Sequence, residues 1–174
     1  VTTQTPETSS FATSARMLAA SYMGALVVMG VVLLFVLGTE TMPPTWFVVG
    51  VLAAGVVAHF LIGAVGYRPQ PLEPGMAEDE AVAEGRVRYQ SSMTLRFAIA
   101  EVIAILSLVL AFVVQGSWWM YALGAVVSFI LMAMHVWPGS GPVGKSADAL
   151  ESKGQPSYLR EQFGYAVSGP ILPT

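Results

Sequence analysis

The chain contains no cysteine, which excludes disulfides, thiolate zinc sites, iron–sulfur clusters and cysteine nucleophiles. Charge is almost as scarce. Only 11% of the 174 residues are Asp, Glu, Lys or Arg, against about 25% in an ordinary soluble domain. The net charge of −3, without any basic cluster, argues against nucleic-acid binding. Histidine occurs only twice, at His59 and His135. No serine or lysine nucleophile stands beside a base in the apolar tracts, so no catalytic residue is expected.

What is abundant is apolar sequence, 55% of the chain. From Met17 to Tyr67 the only acidic, basic or imidazole side chains are Glu40 and His59. From Arg96 to Lys145 only Glu101 and His135 interrupt the run. Each tract is about twice the ~20 residues that a helix needs to cross a bilayer. Each is broken near its middle, by Gly38-Thr39-Glu40-Thr41-Met42-Pro43-Pro44 and by Gln115-Gly116-Ser117. The expected fold is therefore an all-α integral membrane protein, a four-helix bundle of two helical hairpins. Its expected spans are Met17–Leu37, Thr45–Val65, Met93–Val114 and Ser117–Trp137. Four spans of about 21 residues use roughly half the chain and leave no room for a soluble catalytic domain. The first apolar run has spanning length and a poor cleavage sequence at its end, so it reads as an uncleaved span.

The expected organisation follows. Residues 1–16 form a disordered tail, rich in Ser and Thr and poor in apolar surface. Residues 17–66 form the first hairpin, 67–92 a loop, 93–137 the second hairpin and 138–174 a polar, partly helical tail. All eight basic residues (Arg16, Arg68, Arg86, Arg88, Arg96, Lys145, Lys153, Arg160) avoid the two short turns. The positive-inside rule then places both termini and the loop in the cytoplasm of a multi-pass protein of the inner (plasma) membrane. Trp46, Phe47, Trp118, Trp119 and Tyr121 form one aromatic belt, and Tyr67, Tyr89 and Trp137 the other.

Small residues at helical spacing mark packing faces: Ala20 and Gly24 in the first span, Ala54, Gly55 and Ala58 in the second. They serve packing within the bundle, a partner membrane subunit or a homo-oligomer equally well. The carboxylates Glu78, Asp79, Glu80 and Glu84 lack the alternating spacing of an EF-hand and read as the dipole-complementing start of a short helix. No metal site and no bound cofactor is expected.

Ionisable groups within spans are candidates for function. Glu101 lies about 7.5 Å deeper than Arg96 along the helix axis, and five residues is a poor spacing for pairing them. His59 and His135 lie in the same half of the bilayer on two other helices. Two histidines on different spans are also sufficient to ligate a haem axially.

A resemblance follows from the stretch Ala83-Glu84-Gly85-Arg86-Val87-Arg88, then Leu95-Arg96-Phe97-Ala98-Ile99-Ala100-Glu101. It is similar to subunit c of the ATP-synthase rotor, in which a polar basic loop leads into a helix with one buried carboxylate. The resemblance implies a proton carrier at Glu101. The loop here is much longer than a rotor hairpin's. The whole pattern also resembles small four-span bacterial membrane proteins. The expected function is a non-enzymatic accessory or structural subunit of a larger membrane complex. Proton or ion translocation through Glu101, with His59 as relay, is the first alternative. Haem-based electron transfer through His59 and His135 is the second.

Overall fold

The computed structural model describes residues 6–165, and the part of the tail at residues 1–5 lies outside it. Six helices follow in order: α1 (Pro6–Leu37), α2 (Thr45–Leu61), α3 (Glu78–Val113), α4 (Trp118–His135), α5 (Ser140–Leu150) and α6 (Leu159–Gln162). There is no strand among the described residues. α1, α3, α4 and the helical stretch Thr45–Gly66 that begins with α2 are each long and apolar enough to cross a membrane.

Local sequence explains the breaks. Gly38 adopts a left-handed conformation (φ 65°) just past α1, a stop that costs glycine nothing. Pro44 precedes α2, and its carbonyl accepts from the amides of Phe47 and Val48 at 2.9 and 3.2 Å. Gln115 takes the left-handed position after α3 (φ 51°), and the Gly116 amide then donates to the Ala111 carbonyl at 2.7 Å. Glu78, Asp79 and Glu80 occupy the first turn of α3, where negative charge complements the helix dipole. Beyond Leu61, α2 widens into a π-helical turn, Ile62–Gly66.

The helices α3 and α4 form the closely packed hairpin at the centre. A side chain on Gly124 would place its Cβ 2.1 Å from Ser107 Oγ, so glycine is what permits this approach. Ser128 Oγ accepts from the Ala104 amide across the same seam, at 3.1 Å. The first two spans differ from the expected hairpin. They pack mainly against α4 and against the α3–α4 pair respectively, with little contact between themselves. Their connection instead crosses the α3–α4 turn. The Trp118 amide donates to the Gly38 carbonyl at 2.8 Å, Trp119 Nε1 to Thr39 O at 3.2 Å, and Ser117 Oγ to Thr41 O. Trp118 Nε1 and Tyr121 Oη reach further, to carbonyls of Gly30 (2.7 Å) and Leu26 (2.9 Å) on α1. The aromatic residues at this end therefore tie α1 to α4.

At the opposite end, where the basic residues lie, two expectations require correction, and the tail from 138, expected to be partly helical, is so. The segment read as a disordered tail is helical from Pro6, and Phe11, Ala12 and Ala15 are buried. The loop read as residues 67–92 is helical from Glu78, continuous with the third span. The tail read from 138 supplies α5 and α6, which pack on that extension; its last residues, 166–174, lie outside the described ones. The physical reason is an extension of the hydrophobic core at this end of the bundle. Phe11, Tyr89 and Phe163 meet edge to face with centroids 5.4–6.2 Å apart, a contact between rings that distant segments contribute. Leu72, Val143, Leu150 and Leu159 complete it, each fully buried. Polar contacts close the cap: Leu72 N to Leu150 O at 2.8 Å, Arg86 Nε to Gln162 Oε1 at 2.6 Å, and Arg160 to Glu151 at 2.8 Å and to Asp148.

Candidate functional site at the basic end of the bundle

The π-helical turn at the end of α2 sets up the site. In a regular helix Tyr67, eight residues after His59, would stand about 80° away around the axis. The wider turn takes up part of that rotation and carries Tyr67 toward the face that bears His59. His135, on the last turn of α4, fills the space between them. Tyr67 Oη lies 3.0 Å from His135 Nδ1, and His135 Nε2 lies 2.9 Å from His59 Nδ1. Three side chains from two helices thus form one continuous hydrogen-bonded chain. Tyr67 and His135 are buried, and His59 is half-buried. The span between the residues at its ends is about 12 Å along the α2 axis.

Arg96 forms the wall of this site. It is the largest fully buried side chain among the described residues. Its Nε donates to the Ser92 carbonyl one turn back, at 3.2 Å. Both terminal nitrogens are buried without a hydrogen-bond partner among the described residues, as is the neighbouring Tyr89 Oη. Aromatic faces compensate: the guanidinium carbon lies 4.5 Å from the Tyr67 ring centroid and 5.7 Å from that of Tyr89. Lys145 Nζ approaches the Tyr67 ring as well, at 5.0 Å. Gly66 makes room for the arginine stem. A Cβ there would lie 2.6 Å from Arg96 Cγ. Ser92 Oγ donates to the Gly66 carbonyl at 2.7 Å, which fixes the π-helical turn against α3.

Glu101 lies elsewhere. Its side chain lines a crevice of about 120 Å³ with Ala25, Leu26 and Met29 of α1, Leu108 of α3 and Tyr121 of α4. It makes no hydrogen bond or ion pair with Arg96. Five helical residues turn through about 500°, so the two side chains leave α3 in different directions. The structure therefore brings His59, His135 and Arg96 together and leaves Glu101 on the side facing α1.

The packing candidates also divide. Gly55 and Ala58 are buried, and a Cβ on Gly55 would stand 2.7 Å from Val127 Cγ1 of α4. Ala54 borders a crevice between α2 and α3. Ala20 and Gly24 lie exposed on α1, with open space over Gly24.

The geometry does not fit an axial haem pair. Two nitrogens bonded at about 2 Å to opposite sides of one metal stand about 4 Å apart, and the facing nitrogens of His59 and His135 already hydrogen-bond to each other. No group of three or more metal-ligating side chains occurs among the described residues. What the arrangement can do is move a proton. Each imidazole accepts at one nitrogen while releasing from the other.

Tyr67, Tyr89 and Lys145 are members of the site that the sequence did not single out. Tyr67 and Tyr89 read as interfacial anchors and Lys145 as a topology marker. Nothing in the spacing of Tyr67 and His135, 68 positions apart, links them. The Gly66-Tyr67 pair at the end of an apolar helix is the only local signal. Comparison with protein-family models, curated proteins and solved structures gives no match.

Proposed function

We propose that the chain is a non-enzymatic, multi-pass subunit of a larger inner-membrane assembly, with both termini cytoplasmic. In this reading it conducts protons across the membrane, and the histidine chain forms the leg of that path between the cytoplasmic surface and the membrane interior. The carrying observation is the unbroken chain Tyr67–His135–His59, with contacts of 3.0 and 2.9 Å. With Tyr67 donating to His135 Nδ1 and His135 Nε2–H donating to His59 Nδ1, the outer His59 nitrogen is the free end. A proton entering at one end displaces one at the other, with no heavy atom moving far. The outward-facing small step Ala20–Gly24 supports a partner helix on α1, since small residues let helices approach closely in lipid.

Proteoliposomes containing the full chain and an internal pH dye test the relay under an imposed potassium diffusion potential. Proton flux above that of empty vesicles is expected, with at least a tenfold loss in His135→Phe. Parent flux equal to that of empty vesicles, or full flux in His135→Phe, refutes it.

A second reading rests on Glu101, whose carboxyl lines an apolar crevice without a hydrogen-bond partner among the described residues. A carboxyl there is suited to carry a proton to a partner seated on α1, as the resemblance to the rotor helix implies. Loss of flux in Glu101→Gln with full flux in His135→Phe selects this reading over the relay.

A further inference from the structure

A crevice of about 320 Å³ opens between the end of α2 and the flank of α3, lined by Val65, Arg68, Arg88 and Leu95 among others. We infer that it holds the headgroup of an anionic phospholipid. The inference is independent of the proton relay.

The polar end of the crevice is preorganised. Arg88 Nε donates to Glu84 at 2.8 Å, and its Nη1 donates to the carbonyls of Gln70 (2.9 Å) and Pro71 (2.5 Å). These bonds hold the guanidinium against the loop and leave Nη2 unclaimed among the described residues. Arg68 differs from Arg86, Arg88 and Arg160. Arg88 and Arg160 have carboxylate partners, and Arg86 is bonded to Gln162. Arg68 is exposed and has neither a hydrogen bond nor an ion pair among the described residues. Glu84 offsets part of the charge of Arg88, so the attraction for an anion rests mainly on Arg68.

The other end of the crevice is apolar. Val65 and Leu95 are 43% and 45% exposed, and both belong to helices of spanning length. Leu95 is seven residues beyond Arg88, about 10 Å further into the spanning segment. A phosphate between the two guanidiniums would therefore continue into acyl chains lying along Val65 and Leu95. A free phosphate ester would use the arginines and leave that wall bare. Basic pockets between helices at the cytoplasmic boundary suit such headgroups, and each basic residue contributes modestly and in a salt-dependent way.

The test uses the full chain, delipidated in a neutral detergent and followed by thermal unfolding. The probes are phosphatidylglycerol, phosphatidylcholine and glycerol phosphate. Phosphatidylglycerol is expected to raise the unfolding temperature at concentrations where the other two do not. In Arg68→Gln the lipid-free unfolding temperature should be unchanged, because the side chain has no partner to lose. Its apparent affinity for phosphatidylglycerol should fall about fivefold, the contribution of one basic residue near an anionic surface. Equal stabilisation by phosphatidylcholine overturns the inference, as does an unchanged response in Arg68→Gln. Equal stabilisation by glycerol phosphate also overturns it and reassigns the crevice to free phosphate esters.

Discussion

Replacing Gly66 with alanine probes the joint that holds the histidine site together. The new Cβ would lie 2.6 Å from Arg96 Cγ, 3.3 Å from Arg96 Cδ and 3.2 Å from Ile62 Cγ2. The clashing atoms belong to the stem of a fully buried arginine, so no free end can swing aside. Overpacking of this kind costs about 1–3 kcal/mol. Alanine recovers up to about 1 kcal/mol through its better helix propensity. The expected net loss is about 1–2 kcal/mol, or a fall of about 3–6 °C in unfolding temperature for a protein of this size. Thermal unfolding in detergent measures it. Gly63→Ala in the same turn is the control: nothing lies within 4 Å of a Cβ there, so it should be neutral or slightly stabilising. In an Arg96→Ala background both arginine atoms are gone and only the 3.2 Å approach to Ile62 Cγ2 remains, so Gly66→Ala should cost less than about 0.5 kcal/mol. A Gly66→Ala protein as stable as Gly63→Ala refutes the reasoning, and so does a full cost that persists without the arginine stem.

Three other outcomes are expected. Gly55→Leu should lower stability markedly, because even a Cβ there stands 2.7 Å from Val127 Cγ1, whereas Leu110→Ile, half-buried on α3, should change the unfolding temperature little. A cysteine at Thr41 should react with an impermeant reagent applied outside intact cells, and one at Gly75 should not; the reverse pattern overturns the charge-based orientation. The ammonium of Lys153, 2.7 Å from Glu73 Oε1, holds that exposed carboxyl below its usual range. Carboxyl-carbon NMR should therefore show the Glu73 titration moving upward in Lys153→Ala. Because a depressed carboxyl pKa favours the folded state only while the group is ionised, this pair's small contribution disappears as pH falls through the folded-state pKa.

Four apolar helices were legible in the sequence because hydropathy is local. A helix satisfies its own backbone, so a run free of charge and of spanning length declares itself without reference to neighbours. Two breaks were legible for the same reason: Gly38 and the Pro43-Pro44 pair act on their own backbone, whereas after α3 it is Gln115 that turns left-handed. The separate directions of Arg96 and Glu101 also follow from helical rotation alone. The helix of segment 6–16 and the packing of 140–165 were hidden, because Phe11 has no reason to be buried until Tyr89 and Phe163 arrive from other helices. So was the arrangement of the spans, which depends on how closely Gly124 lets α4 approach Ser107. The histidine site belongs to the tertiary structure most completely. The sequence put His59 and His135 at one depth on two helices, but it gave no sign that Tyr67 and Arg96 join them. Their hydrogen bonds and ring contacts exist only because the π-helical turn rotates Tyr67, Gly66 admits the arginine stem, and α4 ends at the depth of His59.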